Sequence, residues 1–414
     1  MRVLQVNKFL YGGAGAETMM FRTADLLRAH GHEVSFFAMQ DPRNAPCAES
    51  KYFPRGRYYG AEHGAIRRVR DGAASIYSLE ARRALRRLVK NVQPDVAHLH
   101  NVYHQLTLSV VDELADTNIP IIMTLHDYKP VCPSYTLYTD NEPCHRCVTG
   151  TPIHAVKHRC VKGSRAASAL GAMEAVATRV RRTYHRVDAF IAPSRHIAAM
   201  MVAGGHPAER IHVIPNFVAD EQFAGPGMRE LPDQPTFLFV GRLEEVKGVD
   251  VLLAATRATG GAISVTIVGD GPLEPAVTRA QSDGVVRYLG RRSWEEISQL
   301  MDRANALVVP SLWEENCPMV ALEAGARGCP VIAADRGGLK ELVTHGYDGL
   351  LVRAGDADAL AEAMLGLGSD IARCVRLGRK RQVVTATRNT AAVHATALIE
   401  LYEAVSVAKQ GASR

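Results

Sequence analysis

Pro310-Ser311-Leu312-Trp313-Glu314-Glu315-Asn316-Cys317-Pro318-Met319-Val320-Ala321-Leu322-Glu323-Ala324 follows directly on the apolar run Ala306-Leu307-Val308-Val309. A short run rich in Val and Leu that stops at a proline, then resumes as an apolar segment, reads as strand, loop and helix. This is the repeating unit of an open parallel sheet, which binds ligands beyond the carboxyl ends of its strands. Glu315 and Glu323 stand eight residues apart, at the mouth and along the first turns of the expected helix. Carboxylates accept hydrogen bonds only, which suits the hydroxyls of a sugar.

The same rhythm runs through both halves of the chain. In the first half, strand-like runs at Val3–Val6, Val34–Ala38, Asp95–Leu99, Ile121–Leu125, Ala189–Ala192 and Val213–Ile214 alternate with helical patterns such as Ala16–Ala29, closed by Gly31. In the second, the strands are expected at Phe237–Val240, Ser264–Val268, Val286–Leu289, Ala306–Val309, Val331–Ala333 and Leu350–Val352. Such alternation predicts two mostly parallel sheets covered on both faces. Gly225, Pro226, Gly227, Pro232 and Pro235 crowd the polar stretch between the halves, which has the character of an interdomain linker. The expected division is therefore 1–218, 219–390 and a closing helix with a polar tail over 391–414 that packs back across the junction.

A chain of 414 residues with 47% apolar content is long enough for two cores. No run approaches the roughly 18 consecutive apolar residues of a membrane span, and Met1-Arg2-Val3-Leu4-Gln5-Val6-Asn7 reads as a first strand rather than a signal peptide. The expected location is cytoplasmic. The net charge of +6 is modest, but Arg67-Arg68-Val69-Arg70 and the segment Arg82–Lys90 concentrate positive charge in the first half. The second run has helical spacing. It reads as a solvated basic face, or as a peripheral contact with an anionic membrane surface at the inner face of the membrane. No nucleic-acid-binding motif accompanies it.

Glycines punctuate the expected loop tips. Gly12-Gly13-Ala14-Gly15 follows the first strand and opens a helix, so its amides suit phosphate or a sugar oxygen. It is neither Gly-x-Gly-x-x-Gly nor a Walker loop, and no acidic residue ends the second strand, which argues against a dinucleotide oxidoreductase. In the second half Gly269-Asp270-Gly271-Pro272 and Gly337-Gly338 fall at the same expected sheet edge as Arg242 and Glu315. Arg242 offers a planar fork of donors and Lys247 a compact charge, a pair suited to neutralising a pyrophosphate. Taken alone, the two cations also fit surface salt bridges with Glu244 and Glu245.

The ordered set Gly12-Gly13, His126-Asp127, Pro193-Ser194, Ile214-Pro215-Asn216, Gly241-Arg242-Leu243, Lys247-Gly248, Gly269-Asp270-Gly271-Pro272, Glu315 through Glu323 and Gly337-Gly338 resembles retaining glycosyltransferases of family 4 over nearly the whole chain. The resemblance implies the GT-B fold, two facing Rossmann-like doubly wound domains with a deep cleft between them. It implies a nucleotide diphosphate sugar as donor, no catalytic metal, and a glycan or lipid-linked acceptor of cell-envelope or exopolysaccharide assembly. By the same resemblance Arg242 and Lys247 bind the donor diphosphate, Glu323 the ribose and Glu315 the transferred sugar. Gly12 or Gly13 then approaches the donor from the first domain, as does His126, which orients the donor or stabilises the transition state. Gly269, Gly271, Gly337 and Gly338 line the donor site. The chain departs from the family pattern after Glu315, where Asn316 and Cys317 replace the usual glycine and aromatic residue. The alternatives are a degenerate GT-B nucleotide-sugar-binding protein and a GT-B epimerase.

Between residues 128 and 165 lies an insertion that holds Cys132, Cys144, Cys147 and Cys160. Four thiols at this density fit a structural zinc, reduced packing cysteines, or a redox or iron–sulfur site. The insertion follows His126-Asp127, which makes acceptor recognition its expected role. Tyr128, Tyr135 and Tyr138 are the candidates for stacking on sugar rings, with packing of the loop as the other reading.

Overall fold

The computed structural model describes residues 1–13, 15–56, 76–225, 229 and 231–411. The basic run Arg67–Arg70 lies outside the described residues. Two compact units emerge. The first comprises Met1–Thr139, Cys144–Ile214 and the chain from Ala395 onward, the second Asp140–Pro143 and Pro215–His394.

The first unit is built on a six-stranded parallel sheet of β1 (Arg2–Val6), β2 (Glu33–Phe37), β3 (Val96–Leu99), β4 (Ile121–Thr124), β5 (Ala189–Ala192) and β6 (Ile211–Val213), in the order β2-β1-β3-β4-β5-β6. The central strands β3, β4 and β5 are buried at every position, as expected for strands with helices on both faces. One face packs Leu4, Val6, Leu99 and Met123 with Met20 and Leu85; the other packs Val3, Ile122 and Ile191 with Leu398, Leu401 and Tyr402 of the terminal helix Ala391–Gly411. That helix is long and apolar enough to cross a membrane by length and composition; Leu398, Leu401 and Tyr402 pack into this core, while Val393 and Val407 are exposed. β6 ends before Ile214, where the sequence reading had it still extended. Pro215 has no N–H to carry the ladder further.

The helix Leu79–Val92 is capped by Ser78, whose side chain accepts from the Ala81 N–H. Arg82 and Arg86 of this helix both grip the buried Glu113, with Nε to carboxylate distances of 2.9 and 2.7 Å. Part of the basic run is thus internally neutralised, while Arg83, Arg87 and Lys90 stay exposed.

The second unit repeats the architecture with β7 (Thr236–Val240), β8 (Ser264–Val268), β9 (Arg287–Tyr288), β10 (Ala306–Val309), β11 (Val331–Ala334) and β12 (Gly349–Val352), all parallel, in the order β9-β8-β7-β10-β11-β12. The expectation of two doubly wound parallel sheets is borne out. Strand order reverses between β7 and β10, the switch point at which such sheets open a crevice. The helix Ile371–Arg388 sends Arg381 inward to Asp348 at 3.2 Å, and both side chains are only 1% exposed.

Burying two ions is costly unless each keeps the other, and removing one strands its partner. Asp348→Ala is therefore expected to cost about 3–5 kcal/mol, read as a lower urea midpoint with an unchanged slope.

Candidate functional site

The chemistry of the second unit gathers at the carboxyl edge of its sheet. Arg242 and Lys247 follow β7, Gly269 and Gly271 follow β8, Glu315 follows β10, and Gly337 and Gly338 follow β11. The β7 and β10 loops flank the switch point, so Lys247 and Glu315, 68 residues apart, meet there with Nζ 2.7 Å from Oε1. The Ser311 hydroxyl donates to the same carboxylate oxygen at 2.7 Å, and the Lys247 ammonium lies 4.8 Å from the centre of a Trp313 ring. Burial pushes the Glu315 carboxyl up, but the Lys247 charge and the hydrogen bonds to it outweigh this and hold it below the usual range. Glu315 is thus a buried, ionised acceptor with a cation at its side. Sequence reasoning found both ions and missed Ser311 and Trp313, although both lie within five residues of Glu315.

Arg242 is differently placed. Its guanidinium is 60% exposed and bonds Glu244 at 2.7 Å, the surface pairing that the sequence also allowed. Glu323 sits on the helix Met319–Ala326, half-buried, where its carboxylate accepts from the Gln222 amide at 3.4 Å. Two glycines matter for close packing. A Cβ on Gly269, at φ +140°, would meet the Gly241 carbonyl oxygen at 1.8 Å, and one on Gly338 would meet the Asn316 carbonyl oxygen at 1.7 Å. The Gly338 N–H donates to the Glu315 carbonyl at 2.6 Å, which fixes the backbone that carries the carboxylate.

In the first unit Gly12 and Gly13 lie between β1 and the helix Gly15–Ala29, and a Cβ on Gly12 would meet nothing within 4 Å. His126 stands two residues beyond β4, half-buried, with its Nε2 2.8 Å from His100 Nδ1. Burial, reinforced by the charge of Lys8, lowers the His126 imidazole to about 4, so the ring is neutral at pH 7. Burial raises the pKa of neighbouring Asp127 despite the Lys129 N–H that its carboxylate accepts at 2.9 Å.

The insertion is tied to the first unit by Lys129, which pairs with Glu174 of the helix Arg165–Val180 at 2.7 Å, both side chains nearly buried. Tyr128 is 1% exposed and edge-on to His196, so it packs the core and is closed to a sugar ring. Tyr135 is 44% exposed. Of the four cysteines, Cys132 faces the Ser134 hydroxyl at 3.2 Å and Cys160 the Thr139 hydroxyl at 3.6 Å, while burial pushes the Cys147 thiol up to about 12. Among the described residues no three His, Cys, Asp or Glu side chains are arranged to hold a metal ion, Cys132, Cys144, Cys147 and Cys160 included.

Against families of known proteins, residues 13–222 match the model described as Glycosyltransferase Family 4, and residues 234–370 match Glycosyl transferases group 1. The chain belongs to glycosyltransferase family 4. Among family relatives, the amylovoran biosynthesis glycosyltransferase AmsK of Erwinia amylovora is 36% identical over 180 residues, 40% of this chain and 44% of AmsK. A D-inositol 3-phosphate glycosyltransferase of Pseudarthrobacter chlorophenolicus is 26% identical over 397 residues, 89% of this chain and 85% of the relative. The chain spans 44% of AmsK and 41% of a D-inositol 3-phosphate glycosyltransferase of Nocardia farcinica. The crystal structure of Anabaena HepE in complex with UDP shares the fold with a TM-score of 0.66 at 17% identity, covering 98% of this chain and 100% of HepE. The two doubly wound sheets are those of the GT-B class that the family adopts.

Removing Lys247 leaves a buried Glu315 without its counter-ion. In the native protein the depressed Glu315 pKa adds stability that is present above the unfolded carboxylate range and lost as pH falls through it. In Lys247→Met the burial penalty dominates and the sign reverses. The fall in Tm caused by Lys247→Met is therefore expected to be largest at neutral pH and to shrink toward pH 4, measured by calorimetry at both.

Proposed function

We propose that this protein transfers a glycosyl group from a nucleotide diphosphate sugar to a glycan or lipid-linked acceptor, with retention of anomeric configuration. The observation that carries the reading is the Lys247–Glu315–Ser311 cluster at the switch point of the second sheet. It sets a cation, suited to phosphate, beside an ionised carboxylate, suited to sugar hydroxyls, on the loops where the family resemblance implies donor binding. A sheet that only bound polysaccharide would have no need of a half-buried cation there.

In this reading Lys247 and Arg242 stabilise the departing diphosphate. Arg242 exchanges its exposed bond to Glu244 for the ligand. Glu315 accepts from hydroxyls of the transferred sugar and Glu323 from the ribose, while Gly269, Gly271, Gly337 and Gly338 let the loop backbones crowd close to the donor. The bond from the anomeric carbon to the phosphate oxygen breaks as the acceptor oxygen bonds to the same face, and the acceptor proton passes to the leaving phosphate. No enzyme nucleophile is required. The Glu315 carboxylate, already committed to Lys247 and Ser311, is suited to holding sugar rather than attacking it. In the first unit, Gly12, Gly13 and His126 are the residues proposed to meet a ligand, His126 as a neutral ring.

The relatives support the chemical classes: AmsK is named for amylovoran biosynthesis, and HepE was crystallised with UDP. A polysaccharide intermediate is thus the acceptor to try first, and a uridine diphosphate sugar the donor. A lipid-linked acceptor at the cytoplasmic face of a membrane agrees with the exposed Arg83, Arg87 and Lys90 on the helix Leu79–Val92.

Nucleotide release by the purified protein across UDP-, GDP-, ADP- and TDP-sugars tests the reading. Release from one donor is expected, and Lys247→Ala or Glu315→Ala should each cut it by about 10²–10³-fold, the usual effect of losing one well-aimed charged contact. Neither binding nor release with any donor would overturn the assignment.

A further inference from the structure

Behind His126 the first sheet holds a run of polar side chains that an apolar core does not need. Strand alternation puts His98 and His100 on the same face of β3, and the β1–β3 register sets Gln5 opposite His98. The His100 side chain is 1% exposed and Gln5 is fully buried. His100 Nδ1 lies 2.8 Å from His126 Nε2, with the two rings stacked at 5.1 Å, and His100 Nε2 lies 2.6 Å from Gln5 Oε1.

Donor and acceptor chemistry decides the protons. An amide oxygen only accepts, so His100 must carry its proton on Nε2 and leave Nδ1 as a lone pair. His126 must then donate to that lone pair from its own Nε2–H. The Gln5 amide is next to the Tyr402 hydroxyl, which is 2.6 Å from His98 Nδ1; His98 Nε2 in turn lies 2.7 Å from Thr124 Oγ1. From His126 through His100 to the Gln5 oxygen each group donates to the next, and Tyr402, His98 and Thr124 form a second such run beside it; the Gln5 Nε2 between the two makes no hydrogen bond.

We infer that His100, backed by Gln5, is a positioning residue that holds the His126 ring in its Nε2–H tautomer, so that Nδ1 is the nitrogen left to accept from a ligand hydroxyl. The catalytic part of the inference rests on the glycosyl-transfer reading above. Among the described residues the His126 ring makes no other hydrogen bond, so losing His100 frees it to rotate and to exchange tautomers. A neutral imidazole that accepts at Nδ1 selects a hydroxyl donor, whereas the opposite tautomer would select a carbonyl or phosphate oxygen.

Two measurements test this. Nitrogen-15 NMR of histidine-labelled full-length protein, with the His126 signals assigned by their loss in His126→Gln, is expected to show Nε2–H in the wild type. The same tautomer is expected in His100→Asn, whose side-chain oxygen can stand in for Nδ1, and a mixture in His100→Leu. His100→Leu should also lower kcat by about 10²-fold through misplacement of the ring, with a smaller rise in donor KM from the loosened hydroxyl contact; His100→Asn should restore most of the activity. An Nδ1–H tautomer in the wild type, or a His100→Leu protein with unchanged tautomer and kcat, overturns the inference. Should no donor be turned over at all, the transferase reading fails by itself, and the tautomer still decides the role of His100.

Discussion

Every strand in both sheets runs parallel to its neighbours, and this single constraint places the chemistry. A parallel ladder can be closed only by crossovers that return the chain to the same starting edge, so all loops after strands emerge together at the other. Residues far apart in sequence are then forced into one rim. Lys247 and Glu315 meet for this reason, and so do the glycines of the β8 and β11 loops. Where the strand order reverses, the crossovers leave on opposite faces and the rim parts, giving charged groups room that the packed sheet denies them.

The ion pair at that rim illustrates how burial and charge trade against each other. A carboxylate placed where Glu315 lies would protonate if left alone; with an ammonium, a hydroxyl and an indole around it, the ionised form prevails. The same unit contains a second buried pair, Arg381–Asp348, away from any loop rim. One pair sits where a ligand can exchange with its members and the other is sealed into the core. Burial by itself therefore does not distinguish a binding pair from a structural one; position relative to the strand ends does.

Much of this was legible in the sequence, because it rests on local signals. Runs such as Ala306–Val309 and Val331–Ala333 are too short and too β-branched to be helices, and the glycines mark turns whose close contacts admit no side chain. Charged residues just past such runs were correctly expected at the strand ends. What escaped were interactions set by register and by distant chain. Nothing local to Gln5, His98 or His100 says that they face one another, since pairing across β1 and β3 brings together residues more than 90 positions apart, and Tyr402 arrives from the far end of the chain. Tyr128 stood between two readings for a related reason: an aromatic beside a strand end fits a ligand platform or loop packing until the helix beneath it is known, and here it packs. The cysteines of the insertion show the limit of counting, since four thiols in one segment say nothing of which way each points.

The contact between Gly338 and the Glu315 segment has a consequence for how this protein can change. The β11 loop donates its amide to the β10 loop and leaves no room for even one carbon between them. The two loops are therefore a single mechanical part made from two stretches of sequence. Divergence at this rim would have to alter both stretches together, and an engineer exchanging residues 310–318 for those of a relative would do well to graft residues 335–338 with them.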